Sequence, residues 1–269
     1  MRRNIGLVAL LVLAAGALPA PRAHAQDMRA AYARVVKQAD AVVHIRYVMT
    51  VSAYGQENRQ DMHTLGTLVT AEGLILAPDA QVNPELPDRG PAPGDGSDTA
   101  SRMSVKTTEF KVLLNGREDW LPLTMLTHDT GLGIAWLRVD AAGSKLPHVD
   151  LARRTDPVVG DPYFVLARTG PDLGRAAMVV HGYLWGEVQV PRRAFLAGFP
   201  QGLAFAGDGK VLGYVVPQNR SELRSTDAQD RTNTLLLIPA DKIASATKRA
   251  LEMSLAMPAE TPAPPEPVH

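Results

Sequence analysis

The chain has 269 residues, 28 Lys and Arg against 28 Asp and Glu, and no cysteine. The even charge balance excludes the basic footprint that nucleic acid or an anionic membrane surface requires. The lack of cysteine excludes disulfides, thiol chemistry and thiolate metal sites. Arg2 and Arg3 precede an apolar run from Ile5 to Leu18, followed by Pro19, Pro21 and the small-residue triplet Ala23-His24-Ala25. This is the charged region, apolar region and A-x-A site of a secretory signal peptide, and the run is shorter than the roughly 20 residues needed to span a bilayer. Residues 1–25 are expected to be cleaved on export to the periplasm or cell envelope, leaving no membrane span. They hold three of the basic residues and no acid, so the remainder carries 25 bases against 28 acids, a net charge near −3.

From Asp27 to Ala39, apolar residues at Met28, Ala31, Val35 and Val36 fall near helical spacing and predict a short helix. Val42 to Val48 is rich in β-branched residues and reads as a strand. Leu65 to Thr70 and Leu74 to Leu76, joined by Ala71-Glu72-Gly73, read as a hairpin, and Phe110 to Leu114 with Trp120 to Leu126 read as a second one around Asn115-Gly116. Between the hairpins, Asn83 to Thr107 holds Pro84, Pro87, Pro91, Pro93 and a Gly-Asp-Gly-Ser run, the composition of a long solvated loop. Ile134 to Val139 is the next strand, and Ala141 to Ser144 reads as a linker.

Further strands are expected at Pro162 to Ala167, Ala177 to Gly182, Val188 to Val190, Leu203 to Phe205, Val211 to Pro217 and Leu235 to Ile238. A helix starts near Pro239 and runs through Leu251, and residues 257–269 form a Pro-rich tail expected to be extended or disordered. Many short strands in two halves, with a helix at each end, predict an all-β barrel or sandwich.

Five segments taken in order resemble the protease domain of the HtrA/Deg family of trypsin-like serine proteases. They are LGTLVTAEGLILAPDAQV (65–82), VLLNGREDWLPLTMLTHDTGLGIAWLRVD (112–140), LPHVDLARRTDPVVGDPYFVLA (146–167), GFPQGLAFAGDGKVLGYV (198–215) and LIPADKIASATKRAL (237–251). The resemblance implies two six-stranded antiparallel β-barrels, with an N-terminal helix and first barrel in residues 26–141 and a second barrel and C-terminal helix in residues 142–256. It also implies places for a catalytic triad. The histidine's place is held by Ala80, the aspartate's by Gly133 and the nucleophile's by Pro200, in an oxyanion loop of Gly198, Phe199 and Pro200.

Each replacement removes a group the chemistry needs. Alanine cannot accept a proton, glycine cannot orient an imidazole, and proline is neither a nucleophile nor a backbone N–H donor. One lost oxyanion donor costs about 2.7–4 kcal/mol of transition-state stabilisation, and a lost triad roughly a million-fold in turnover. Moving the alignment does not restore the groups: Val190 to Lys210 contains no Ser or Cys, and Leu65 to Thr127 contains no His. Asp129 lies upstream of Gly133, out of register with the strand; His63 falls on the far side of the hairpin, and His128 in the loop before the next strand.

Among the seven histidines, no pair has the i, i+4 spacing of a zinc helix and no H-E-x-x-H occurs, so no metal or other cofactor is expected. Trp120, Trp136 and Trp185 are expected to pack, and Arg192-Arg193 to lie in a solvated loop. The expected function is that of an inactive exported relative of these proteases, binding a protein or peptide or serving as a subunit of an envelope complex, with residues 83–107 and the tail as contact segments. A serine endopeptidase or other hydrolase with a relocated active site is the alternative.

Overall fold

The computed structural model describes residues 22–53, 55–84, 104–140, 145–190, 192–217 and 235–256. The proposed signal segment up to residue 21, most of the Pro-rich loop (85–103), the linker at 141–144 and the tail at 257–269 lie outside them.

The fold is all-β and built from two antiparallel barrels. Helix α1 (Arg22–Val35) leads into a 3-10 turn (Val36–Ala41). Strands β1 (Val42–Ala53), β2 (Gln56–Leu68), β3 (Leu74–Pro78), β4 (Ser104–Leu113), β5 (Leu121–Asp129) and β6 (Ile134–Val139) close into a barrel in the order β1-β2-β3-β6-β5-β4. A one-turn helix, α2 (Asp79–Val82), follows β3 directly. The second set is β7 (Pro162–Arg168), β8 (Ala177–Tyr183), β9 (Gly186–Val188), β10 (Ala194–Ala197), β11 (Gly202–Phe205), β12 (Val211–Pro217) and β13 (Leu235–Pro239), before helix α3 (Ala240–Ala256). It forms a seven-stranded curled sheet in the order β8-β7-β11-β12-β13-β10-β9.

The two halves share one wiring. Counting β7 and β8 as first and second, β10 as third and β11 to β13 as fourth to sixth, the second sheet repeats every pairing of the first barrel except second with third. That seam, between β8 and the β9–β10 hairpin, is where the second barrel stays unzipped. Among the described residues its two edge strands have no strand partner on that side, whereas closure leaves the first barrel no edge.

Alternation explains the first barrel. Val43, Ile45 and Tyr47 of β1 point inward with Leu68, Ile75, Ala77, Ala135 and Leu137, all buried. His44 and Arg46 take the opposite face. A further buried cluster fills the second sheet around Tyr163, Phe195, Leu212, Val215 and Leu237. The helices cross over between halves. Helix α1 packs on the second sheet: Tyr32 stands edge-on to Phe164 and binds His181 Nδ1 through its hydroxyl at 2.7 Å, and Arg34 donates to Gly207 O. Helix α3 reaches back to the first barrel, where Trp136 Nε1 donates to Thr247 Oγ1 at 3.0 Å.

Strand limits differ from expectation in instructive places. The β1–β2 hairpin runs on to Ala53 and Gln56, and β4 begins at Ser104, inside the segment expected to be loop. These extensions are polar or half-exposed and are held by backbone pairing and the Arg59–Glu109 ion pair, so no burial pattern marks them. In the second half, the expected strand at Val188–Val190 is the hairpin β9–β10; Val190 is solvent-exposed outside it, and the unexpected β10 is only four residues long. The helix expected at Asp27–Ala39 gives way to 3-10 structure after Val35.

Candidate functional site

Three segments far apart in sequence converge on the groove between the barrels. Pro78 ends β3, and α2 presents Ala80 to solvent and Gln81 to the groove. Gln81 is the hub of this side: its carbonyl accepts from the Tyr47 hydroxyl, its side-chain Oε1 accepts from Thr64 Oγ1, and its Nε2 donates to Gln201 Oε1 at 3.4 Å. The last bond spans the two barrels.

Gly133 enters from the turn before β6. Its carbonyl accepts the Asp79 N–H at 3.0 Å, tying this turn to α2. Its φ of +67° suits glycine, and a Cβ there would meet Val216 of β12 at 3.1 Å. A side chain at this place is opposed by backbone strain and by the neighbouring barrel together. Asp129 is used locally instead, accepting the Leu132 N–H at 2.8 Å.

The third segment links β10 to β11. Tyr163 holds Gly198 at both backbone groups, its hydroxyl donating to Gly198 O at 2.7 Å and accepting from Gly198 N at 2.9 Å. Burial pushes the Tyr163 phenol above its ordinary pKa, partly offset by the bond to Gly198. Phe199 follows, 79% exposed, joined to the buried Pro200 by a cis peptide bond. Tyr163→Phe is expected to cost about 1–3 kcal/mol, because two part-buried backbone groups lose their only common partner. Urea unfolding measures this, and a change within error of zero would mean that water replaces the hydroxyl.

Between these segments lies a cavity of about 280 Å³ lined by Thr64, Gln81, Phe199, Pro200, Gln201 and Tyr214, among others. That is at the small end for a ligand pocket and suits one or two side chains rather than a whole small molecule. Trp185, expected to pack, is instead 59% exposed, with its ring edge against Gly198. With the exposed Phe199 it adds apolar surface at this end of the molecule.

Of the three places, Pro200 lines this cavity, Gly133 lies against Val216 and is bonded to α2, and Ala80 is exposed, outside the lining. His63 stays away from it, near Trp120 on the outer face. His128 belongs to β5, not to a loop: its Nδ1 is 3.3 Å from Asp79 Oδ1 and 3.3 Å from Asn83 Nδ2. Arg193 is turned onto the β9–β10 hairpin, paired with Glu187 at 2.7 Å, a bond that holds the Glu187 carboxyl below its usual range. Sequence reasoning missed Gln81, Gln201, Tyr163 and the His128–Asp79 pair; each draws its meaning from a partner at least 17 positions away. Among the described residues, no cluster of three or more His, Cys, Asp or Glu could hold a metal, and no helix is long and apolar enough to cross a membrane.

A scan against protein-family models finds no match for this chain, and a search of curated proteins finds none either.

Proposed function

We propose that the protein is a catalytically silent, exported relative of the HtrA/Deg proteases that holds an extended peptide segment of a partner protein in the groove between its barrels, as a binding or scaffolding component of the periplasm or cell envelope. The observation that carries this reading is that Gln81 of α2 and the Phe199–Gly202 loop line one cleft, with the Gly133 turn bonded to α2 and Ala, Gly and Pro at the positions where the resemblance puts His, Asp and Ser. The small cavity accepts a side chain, Phe199 and Trp185 supply exposed apolar contact, and the unzipped seam offers backbone edges for strand addition. Export is supported by the Ala23-His24-Ala25 site and by α1. Among the described side chains of that helix, the packed ones, Met28, Ala31, Tyr32 and Val35, follow Ala25.

The purified protein, incubated with a fluorophosphonate probe and unfolded casein, is expected to show neither labelling nor cleavage. Peptides from a casein digest are expected to shift the Trp185 fluorescence, and Phe199→Ser to weaken that binding by about tenfold, the loss of one buried aromatic contact. Labelling abolished by mutating a single Ser or Thr would overturn the reading. It would favour a hydrolase with a relocated site, for which the His128–Asp79 pair beside Ala80 is the one supporting observation.

A further inference from the structure

A second cavity, of about 390 Å³, lies apart from the cleft, where the β4–β5 turn of the first barrel meets the β7–β8 turn of the second. His44, Asn115, Arg117, Arg168 and Arg175 line it, and among the described residues no acid does. We propose that this cavity is a binding site for a small phosphate-type oxyanion, free or carried as a monoester.

The cations come from separate elements and are not all used by the fold. Arg168 is spent on backbone carbonyls, but among the described residues the Arg117 and Arg175 guanidinium groups have no hydrogen-bond or ion-pair partner. Arg175 is also held at φ 53°, an uncommon conformation for a residue other than glycine, which fixes where its side chain leaves the turn. His44 Nε2 is buried with no hydrogen-bond partner, a state that costs free energy unless something fills it. An oxyanion answers both conditions: it accepts the His44 N–H and takes the forked donors of an arginine.

Selectivity follows from the surroundings. The turns that carry Arg117 and Arg175 also carry exposed Glu118, Asp119 and Asp172. These repel a long polyanion while leaving the cavity positive, so a compact dianion fits and a nucleic acid does not. The volume lies within the range of small-molecule pockets.

His44 makes occupancy visible. Its pKa is lowered first by burial, then by the charges of Arg175 and Arg168 and by His63; Arg117 faces the same space, and Asp40 is an acid at its edge, 3.7 Å from Arg168 and bonded to Asn115. A base whose folded-state pKa is depressed costs stability as pH falls through its ordinary unfolded value, because the unfolded chain takes up the proton first. A bound dianion screens the arginines and moves the His44 pKa back up.

The test is NMR titration of the His44 imidazole with inorganic phosphate, at constant ionic strength set by chloride. The expected result is a saturable shift, a rise in the His44 pKa and about a tenfold weaker affinity in Arg117→Gln/Arg175→Gln. Glycerol phosphate is the second arm: tighter binding than inorganic phosphate assigns the site to monoesters, and equal or weaker binding assigns it to the free anion. If the double variant does not fold, Arg117→Gln alone, on an exposed turn, carries the comparison. A phosphate response identical to that of chloride, or one unchanged by the substitutions, overturns the proposal.

Discussion

Arg168→Met is expected to lower unfolding free energy by about 3–5 kcal/mol, the scale for stripping a buried charged clamp of one partner. The guanidinium is 8% exposed and reaches three carbonyls, Nε to Val42 O at 2.8 Å, Nη2 to Ala39 O at 2.7 Å and Nη1 to Arg175 O at 3.1 Å. Those acceptors lie at the start of β1, in the 3-10 turn before it and in the β7–β8 turn. One side chain therefore fastens the N-terminal connection and the first barrel to the second. Methionine keeps the length and apolar stem but takes the guanidinium donors from all three carbonyls, of which Ala39 O keeps the Val42 N–H, at about 1–3 kcal/mol for each group left unsatisfied before any water enters. Lysine keeps the charge without the fork and should recover part of the loss. Urea unfolding gives the answer: a fall in midpoint at constant slope is a stability change alone. A loss under about 1 kcal/mol would show that water reaches these carbonyls and that the clamp is dispensable.

Gly213→Ala is expected to be as damaging for a different reason. A Cβ at Gly213 would sit 2.1 Å from Ile238 O and 2.7 Å from Leu237 Cδ2. Both residues belong to β13, which pairs with β12 along its length. The obstacle is backbone in a ladder, so relief requires the two strands to part. About 3 kcal/mol or more is expected, read as a fall in melting temperature on the order of 10 °C for a chain of this size. The damage spreads to both neighbours of the joint, since Tyr214 lines the cleft and α3 starts directly after β13. Hydrogen exchange should show β12 and β13 opening first in the variant. A melting temperature equal to that of the parent chain would mean that β12 and β13 are less closely apposed than described.

Both substitutions act at joints between elements, and legibility in the sequence fails at joints too. Strands β6 and β12 were readable to the residue, as apolar runs bounded by Gly133 and Asp140 and by Lys210 and Pro217. The outer half of the β1–β2 hairpin was not, since Gln56 to Asp61 is wholly exposed. Backbone pairing needs no apolar side chain, so such a strand leaves no period-two signal. Likewise, the short β10 is defined mainly by its pairing with β9 and β13.

At the cleft, the residue types at Ala80, Gly133 and Pro200 were plain in the sequence, and their significance came from resemblance alone. The Gln81–Gln201 bond joins positions 120 apart, and nothing in either local pattern announces it. The cationic cavity is more hidden still, because His44, Arg117, Arg168 and Arg175 sit in four separate segments, each ordinary by itself.

What the sequence alone determined is the class of fold, the division into two sets of strands with a helix at each end, and the absence of His from Leu65 to Thr127 and of Ser and Cys from Val190 to Lys210. Periodicity and turn chemistry are local, so they survive without coordinates. Which face meets which face was decided only in the tertiary structure: α1 lying on the second sheet, the barrel left open at one seam, Gln81 bridging to Gln201, and arginines from two turns gathering around His44. Those facts depend on how distant segments are placed against one another, and a strand's alternation says which side a residue takes but not what stands opposite.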